Sequence, residues 1–292
     1  MTTPTERPAG EAGTGQPVRK AGTVRGALRS GGVRRSYLLH RPEATTARLP
    51  LLIALHGRGG DAPGMRHGTR FDREADGMLV VYPEGLDHHW DDGAGLDRDV
   101  RFLRELIDHL AATEGADAGR VYVAGFSNGA SMALRLATEL PGLFRAVAAV
   151  AGQLPPELTP RGAVPLLLIH GDRDPVRPLA GLPESRITGT GSGRPTPSIG
   201  LEPTLTLFAR SAGAKSRRSR DLPDKVPDDG TSLRRVTWSG GSVPVELILV
   251  RGGGHCWPGW TDKPRVTESG VCSAEIDATR AVLDFFAGRN RP

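Results

Sequence analysis

The chain has 292 residues, 38% hydrophobic and 24% charged, with a formal net charge of +5. That composition is ordinary for a folded protein in water, and no apolar run approaches the ~20 residues needed to cross a bilayer. The charge excess sits at the start, where residues 1–41 carry eight Lys/Arg against two Asp/Glu. The remaining 30 against 31 is too even for a nucleic-acid footprint.

Residues 1–20, rich in Thr, Pro, Gly and Ala, read as a disordered arm, and residues 21–290 as one domain. No basic start followed by an apolar stretch is present, so the expected location is cytoplasmic; a misplaced start would instead hide a secretion signal. Only two cysteines occur, Cys256 and Cys272, without CxxC spacing or a zinc-ligand cluster. A disulfide between them fits the spacing, but two reduced thiols are the expectation in a reducing compartment.

In chain order, "TVRGALRS" and "RRSYLLH" read as two edge strands joined through Gly31 and Gly32. "PLLIALHG" and "GMLVVYPEG" read as buried strands with a helix over residues 65–75 between them. Residues 98–113 carry Val100, Leu103, Leu106, Ile107 and Leu110 at helical spacing. Then follow the strand "RVYVAG", a helix after Ser127, and the strands "RAVAAVAG" and "VPLLLIHG". Residues 175–203 read as a long loop, 204–211 as a helix, and the basic run 215–220 as part of a solvated loop. That run could also meet an acidic substrate group. A hairpin of "LRRVTWSG" and "VPVELILVRG" precedes a last helix at 273–288. Apolar strands alternating with helices predict an α/β fold, a mostly parallel sheet covered by helices on both faces.

The chemistry gathers at strand ends. "GFSNG" matches G-x-S-x-G between a strand and a helix, the pattern of a nucleophile elbow, which makes Ser127 the candidate nucleophile. An unactivated serine needs a base. Only His170 and His255 follow Ser127, and His255 lies in the glycine-rich "RGGGHCWPG" directly after a strand; His170 reads as a structural histidine bonded to backbone. The acid should follow the strand ending at His170, where "HGDRDPVRP" offers Asp172 and Asp174. Spacing alone does not separate them; Asp174 is preferred, with Asp172 capping the turn. Two backbone amides should form an oxyanion hole: that of Asn128, and from "LHGRGGD" that of Arg58, with Gly59 as alternative. Trp257 and Trp90 are candidates for apolar walls of a substrate site. His88 and His89 beside Asp87, Asp91 and Asp92 are adjacent in a loop and do not read as a metal site. Only 12 residues part "RAVAAVAG" from the next strand, leaving no room for a large cap domain.

Together "LHGRGGD", "VVYPEGLDHHWDDG", "DVRFLRELIDHL", "VYVAGFSNGASMA", "LLIHGDRDPVRP", "RGGGHCWPG" and "EIDATRAVLDFF" resemble the polyhydroxybutyrate depolymerase and feruloyl esterase-like branch of the α/β-hydrolases, the carbohydrate esterase family 1-like group. The resemblance spans residues 32–286. It implies an α/β-hydrolase fold, Asp174 rather than Asp172 as the acid, no cofactor, and hydrolysis of hydroxyalkanoate, feruloyl, acetyl-xylan or aryl esters. The chain departs from that pattern at Cys256, where the family usually carries a small polar residue after the histidine. A peptidase or amidase on the same fold, and a non-catalytic ligand-binding relative, are the alternative readings.

Overall fold

The computed structural model describes residues 20–43, 47–95, 97–184, 195–260 and 264–288. Of the expected arm at residues 1–20, all but Lys20 lie outside them.

Strands β1 (Gly22–Ser30) and β2 (Val33–Arg41) form an antiparallel hairpin. Strands β3 (Leu49–Leu55), β4 (Leu79–Pro83), β5 (Ala116–Phe126), β6 (Ala146–Val150) and β7 (Leu166–Gly171) follow, most of them apolar along their whole length. Two-residue strands β8 (Gly181–Leu182) and β9 (Ser198–Ile199) pair within the expected long loop, of which residues 185–194 lie outside the described residues. Strands β10 (Ser216–Asp221), β11 (Ser232–Ser239) and β12 (Val245–Arg251) complete a ten-stranded sheet of order β1-β2-β4-β3-β5-β6-β7-β12-β11-β10. Its six inner strands, β4 to β12 in that order, are parallel, and two antiparallel strands flank each side. Small strands β13 (Val266–Thr267) and β14 (Gly270–Val271) form a separate ribbon.

Alternation along the inner strands feeds two cores. Leu51, Ile53 and Leu55 pack toward helices α3 (Arg98–Thr113), α4 (Asn128–Glu139) and α5 (Leu201–Ser211). Leu52 and Ala54 face α1 (Ala62–Thr69), α2 (Phe71–Glu74) and α6 (Ala278–Ala287). Burial on both faces explains why these strands carry continuous apolar runs rather than alternating ones. Residues 151–165 connect β6 to β7 without a helix, so no cap is inserted there.

Three expectations need correction. The helix over 65–75 is two helices, because Asp61 starts α1 early by accepting the Gly64 amide at 2.7 Å, and Arg70 breaks the chain with φ 52°. The last helix starts at 278 rather than 273. Before it, Glu275 is spent on the amides of Lys225 and Val226, at 2.8 and 2.6 Å, and the Asp277 side chain caps the helix. The basic run 215–220 is mostly an edge strand, β10, exposed throughout and paired with β11. Its polar composition hid it, since both of its faces are wet, while charged side chains keep such an edge from pairing with other chains.

Candidate active site

The turn from β5 to α4 lifts Ser127 off the sheet at φ 55° and ψ −117°, a backbone state that costs a non-glycine residue about 1–3 kcal/mol. The flanking glycines permit it. A Cβ at Gly125 would strike the Gly129 backbone, and one at Gly129 would strike the carbonyls of Leu55 and His56. Ser127 thus sits at the start of a 12-residue helix, where the helix dipole favours developing negative charge. Its side chain makes no capping bond and turns instead to His255.

The structure brings Ser127, His255 and Asp174 together. The Ser127 hydroxyl donates to His255 Nε2 at 2.8 Å, and His255 Nδ1–H donates to Asp174 Oδ2 at 2.7 Å. The other Asp174 oxygen accepts the amides of Val176 and Arg177, at 2.8 and 2.7 Å, so the carboxylate is fully engaged in a buried place. Asp172 accepts the Gly252 amide at 2.7 Å and does not reach the imidazole. It fastens the loop after β7 to the loop after β12. Backbone bonds from Asp172 to Val250 and from Arg173 to Gly253, at 3.0 and 2.9 Å, close the same seam. His170 donates from Nε2 to the Arg177 carbonyl at 2.8 Å, and burial pushes its pKa down, so it sits neutral beneath Asp174.

The loop expected to supply an oxyanion donor follows β3. The Gly59 amide is consumed by the His88 carbonyl at 2.7 Å, whereas the Arg58 amide has no acceptor among the described residues. A Cβ at Gly57 would lie 3.3 Å from Ser127 Cβ, which places this loop against the nucleophile. His56, which the sequence reading passed over, fixes the loop's shape. Its Nδ1–H donates to the Gly57 carbonyl at 2.7 Å, and its Nε2 accepts the Gly85 amide at 3.0 Å. The bond accepted at Nε2 requires the neutral ring, and burial lowers the His56 pKa. The only sequence signal for it was a histidine ending an apolar strand just before a glycine-rich turn.

Trp90 and Trp257 are not walls of an open site: each is 1% exposed. Trp90 donates its indole N–H to the His56 carbonyl, and its backbone exchanges two hydrogen bonds with the Asn128 side chain, at 2.7 and 3.0 Å. It locks the loop after β4 onto the elbow. Trp257 donates to Thr279 and packs edge-on against Phe71 in the core below. Both were misread because bulky aromatics near a reactive residue can line a site or hold it from beneath. The His88 and His89 rings bond backbone carbonyls, those of Gly60 and Asp87. Beside them lies a polar cluster the sequence did not disclose as one: Arg58, Asp92 and Arg177.

The cysteines are also corrected. Cys256 and Cys272 form a disulfide, with Cα atoms 5.6 Å apart. Strand β14 and the residue before it run beside the histidine loop, with Gly254 N–H bonded to the Val271 carbonyl and His255 N–H to that of Ser269, at 2.8 and 2.7 Å. That pairing brings residues 16 apart in sequence within bridging distance.

Sequence and structure comparisons agree with this architecture. The profile of the phospholipase/carboxylesterase family matches residues 84–184. "Putative esterase NocK" of Nocardia uniformis subsp. tsuyamanensis is 36% identical over 292 aligned positions, covering 94% of this chain and 85% of that protein. Feruloyl esterase B of Neurospora crassa is 34% identical across 38% of this chain and 41% of that enzyme. Among solved structures, an acetyl xylan esterase from Aspergillus awamori superposes with a TM-score of 0.58 at 15% identity, over 80% of this chain and 94% of its own, a likeness of fold. The chain belongs to the esterases of the α/β-hydrolase family. It is a carboxylic ester hydrolase.

Proposed function

We propose that the chain cleaves carboxylic esters by two-step acyl transfer on Ser127. His255 takes the serine proton as the oxygen attacks the ester carbonyl, and Asp174 holds the imidazole in the Nδ1–H tautomer and stabilises its charged form. The amides of Asn128 and Arg58 bond the tetrahedral oxyanion. His255 then gives its proton to the leaving alcohol, and a water activated by the same imidazole releases the acid. The observation that carries this reading is the chain of two short bonds, Ser127 to His255 at 2.8 Å and His255 to Asp174 at 2.7 Å. Relatives named for feruloyl, acetylxylan and hydroxyalkanoate esters support the same substrate classes here: hydroxyalkanoate, feruloyl, acetyl or similar esters.

The test is turnover of 4-nitrophenyl butyrate together with fluorophosphonate labelling. Ser127→Ala should lose at least about 1,000-fold in kcat/KM and all labelling. Activity above roughly 1% of the parent, on a variant with unchanged circular dichroism, overturns the assignment.

A further inference from the structure

Arg58 serves the proposed reaction through its backbone, which leaves its guanidinium unexplained. Its Nη1 is buried and has no hydrogen-bond acceptor among the described residues. Two loops meet it. Asp92, 1% exposed, comes from the loop that Trp90 pins to the elbow. Arg177, 3% exposed, comes from the loop whose amide bonds Asp174.

The cluster is built but not closed. Arg177 donates to the Thr196 carbonyl and to Ser198 Oγ, at 3.2 and 3.4 Å, and stands 3.8 Å from Asp92 Oδ2. Asp92 Oδ1 accepts the Thr196 hydroxyl, while its Oδ2 has no hydrogen bond among the described residues. Asp92 thus pairs with Arg177 and also acts on the charge of Arg58, one carboxylate shared by two guanidinium groups among the described residues. The other carboxylate acting on Arg177 is Asp174, already committed to His255 and two amides. Buried charge without a matching partner is costly. Burial lowers the pKa of both arginines, with Asp92 opposing it in each case. An anion arriving beside Arg58 would relieve that cost, and Arg58 is only partly buried, so it can be reached.

We propose that the Arg58 guanidinium, backed by Arg177 across Asp92, recognises a carboxylate carried by the ester substrate next to the oxyanion donors. The preferred substrates are thus half-esters of dicarboxylic acids, or esters whose alcohol bears a carboxylate. A planar guanidinium with free N–H groups suits a carboxylate in two-point contact. The proposal rests on the esterase reading of Ser127.

Two probe pairs test it, each matching an acidic ester with a neutral one of similar length. Mono-4-nitrophenyl glutarate against 4-nitrophenyl hexanoate puts the charge on the acyl side; 4-carboxyphenyl butyrate against phenyl butyrate puts it on the alcohol side. The measured quantity is the ratio of kcat/KM, acidic over neutral, corrected for the intrinsic reactivity of each ester. In one pair the parent protein should prefer the acidic ester by about 10- to 100-fold, falling with added salt. Arg58→Met should bring that ratio to about 1 through KM, and Arg58→Lys should restore part of it. A parent that cleaves the neutral esters without preferring either acidic one overturns the proposal and leaves the esterase reading standing. So does a preference that survives Arg58→Met. A parent that cleaves none of the four and resists fluorophosphonate overturns both.

Discussion

Ser127 is held by five consecutive residues, whereas His255 is held by contacts that reach back 80 positions, through Asp172 to Gly252, and forward 16, through the Cys256–Cys272 bridge. The elbow is a matter of local sterics. Two glycines remove the only atoms that would clash, and the strand and helix on either side do the rest. The histidine loop has no such local rule. Its glycine-rich run would move freely without the seam to the loop after β7 and the ribbon of β13 and β14. The difference teaches where each half of the site should fail when disturbed.

The elbow should fail abruptly. In Gly125→Val the first added carbon already meets the Gly129 backbone, so the turn must open and carry Ser127 away from His255. A displacement near 1 Å is enough to cost about 100-fold in rate, so kcat/KM for 4-nitrophenyl butyrate should drop by at least that factor. The variant should be less stable as well, by about 1–3 kcal/mol or more in urea melts. A soluble Gly125→Val protein with near-parental activity would break the steric account of the elbow.

The histidine loop should fail gradually. The Cys256–Cys272 bridge closes a loop of 16 positions, and removing such a crosslink costs about 3 kcal/mol in the chain-entropy view. The double variant Cys256→Ser/Cys272→Ser should therefore melt roughly 5–10 °C lower. Reductant should do the same to the parent and nothing to the double variant. Activity at low temperature should survive in part, because Asp172, Gly253 and Gly254 still stitch the loop in place. Equal melting temperatures with and without the bridge would show that these backbone contacts suffice.

The same contrast explains what could be read in advance. The strand–elbow–helix unit, the inner parallel strands and α3 were legible because each is written in a short stretch, as spacing or as an unbroken apolar run. His255 was legible by elimination and position, and Asp174 as the preferred one of a pair that spacing alone did not separate. Separating it from Asp172 in the structure took the register between the β7 and β12 loops, a long-range fact. Trp90, Trp257 and His56 were missed or misplaced because burial, not residue type, decides whether a large or polar side chain faces the substrate or supports the loop that does. Strand β10 was missed because an exposed edge strand needs no apolar residues to pair its backbone. The disulfide was set aside on compartment grounds, while the pairing of Gly254 with Val271 beside it is invisible in composition.

Each half of the site also rests on one buried histidine, His56 under the loop after β3 and His170 under Asp174. Burial depresses both pKa values below the ~6.5 of an unfolded histidine. Between those two values the unfolded chain binds more protons than the folded one, so stability is complete above about pH 6.5 and falls as pH drops through it. Going from pH 7.5 to 5.5, each should cost at most about 1.4 kcal/mol, read from urea midpoints at the two pH values. His40, depressed by burial as well, adds a share common to every comparison. His170→Gln can keep a donor toward the Arg177 carbonyl but cannot titrate, so it should flatten this dependence by one histidine's share. It should leave the other share, that of His56, in place. An unchanged dependence in His170→Gln would mean that His170 takes up its proton as readily in the folded chain as in the unfolded one, and that the acid side of the site is less dry than the elbow side.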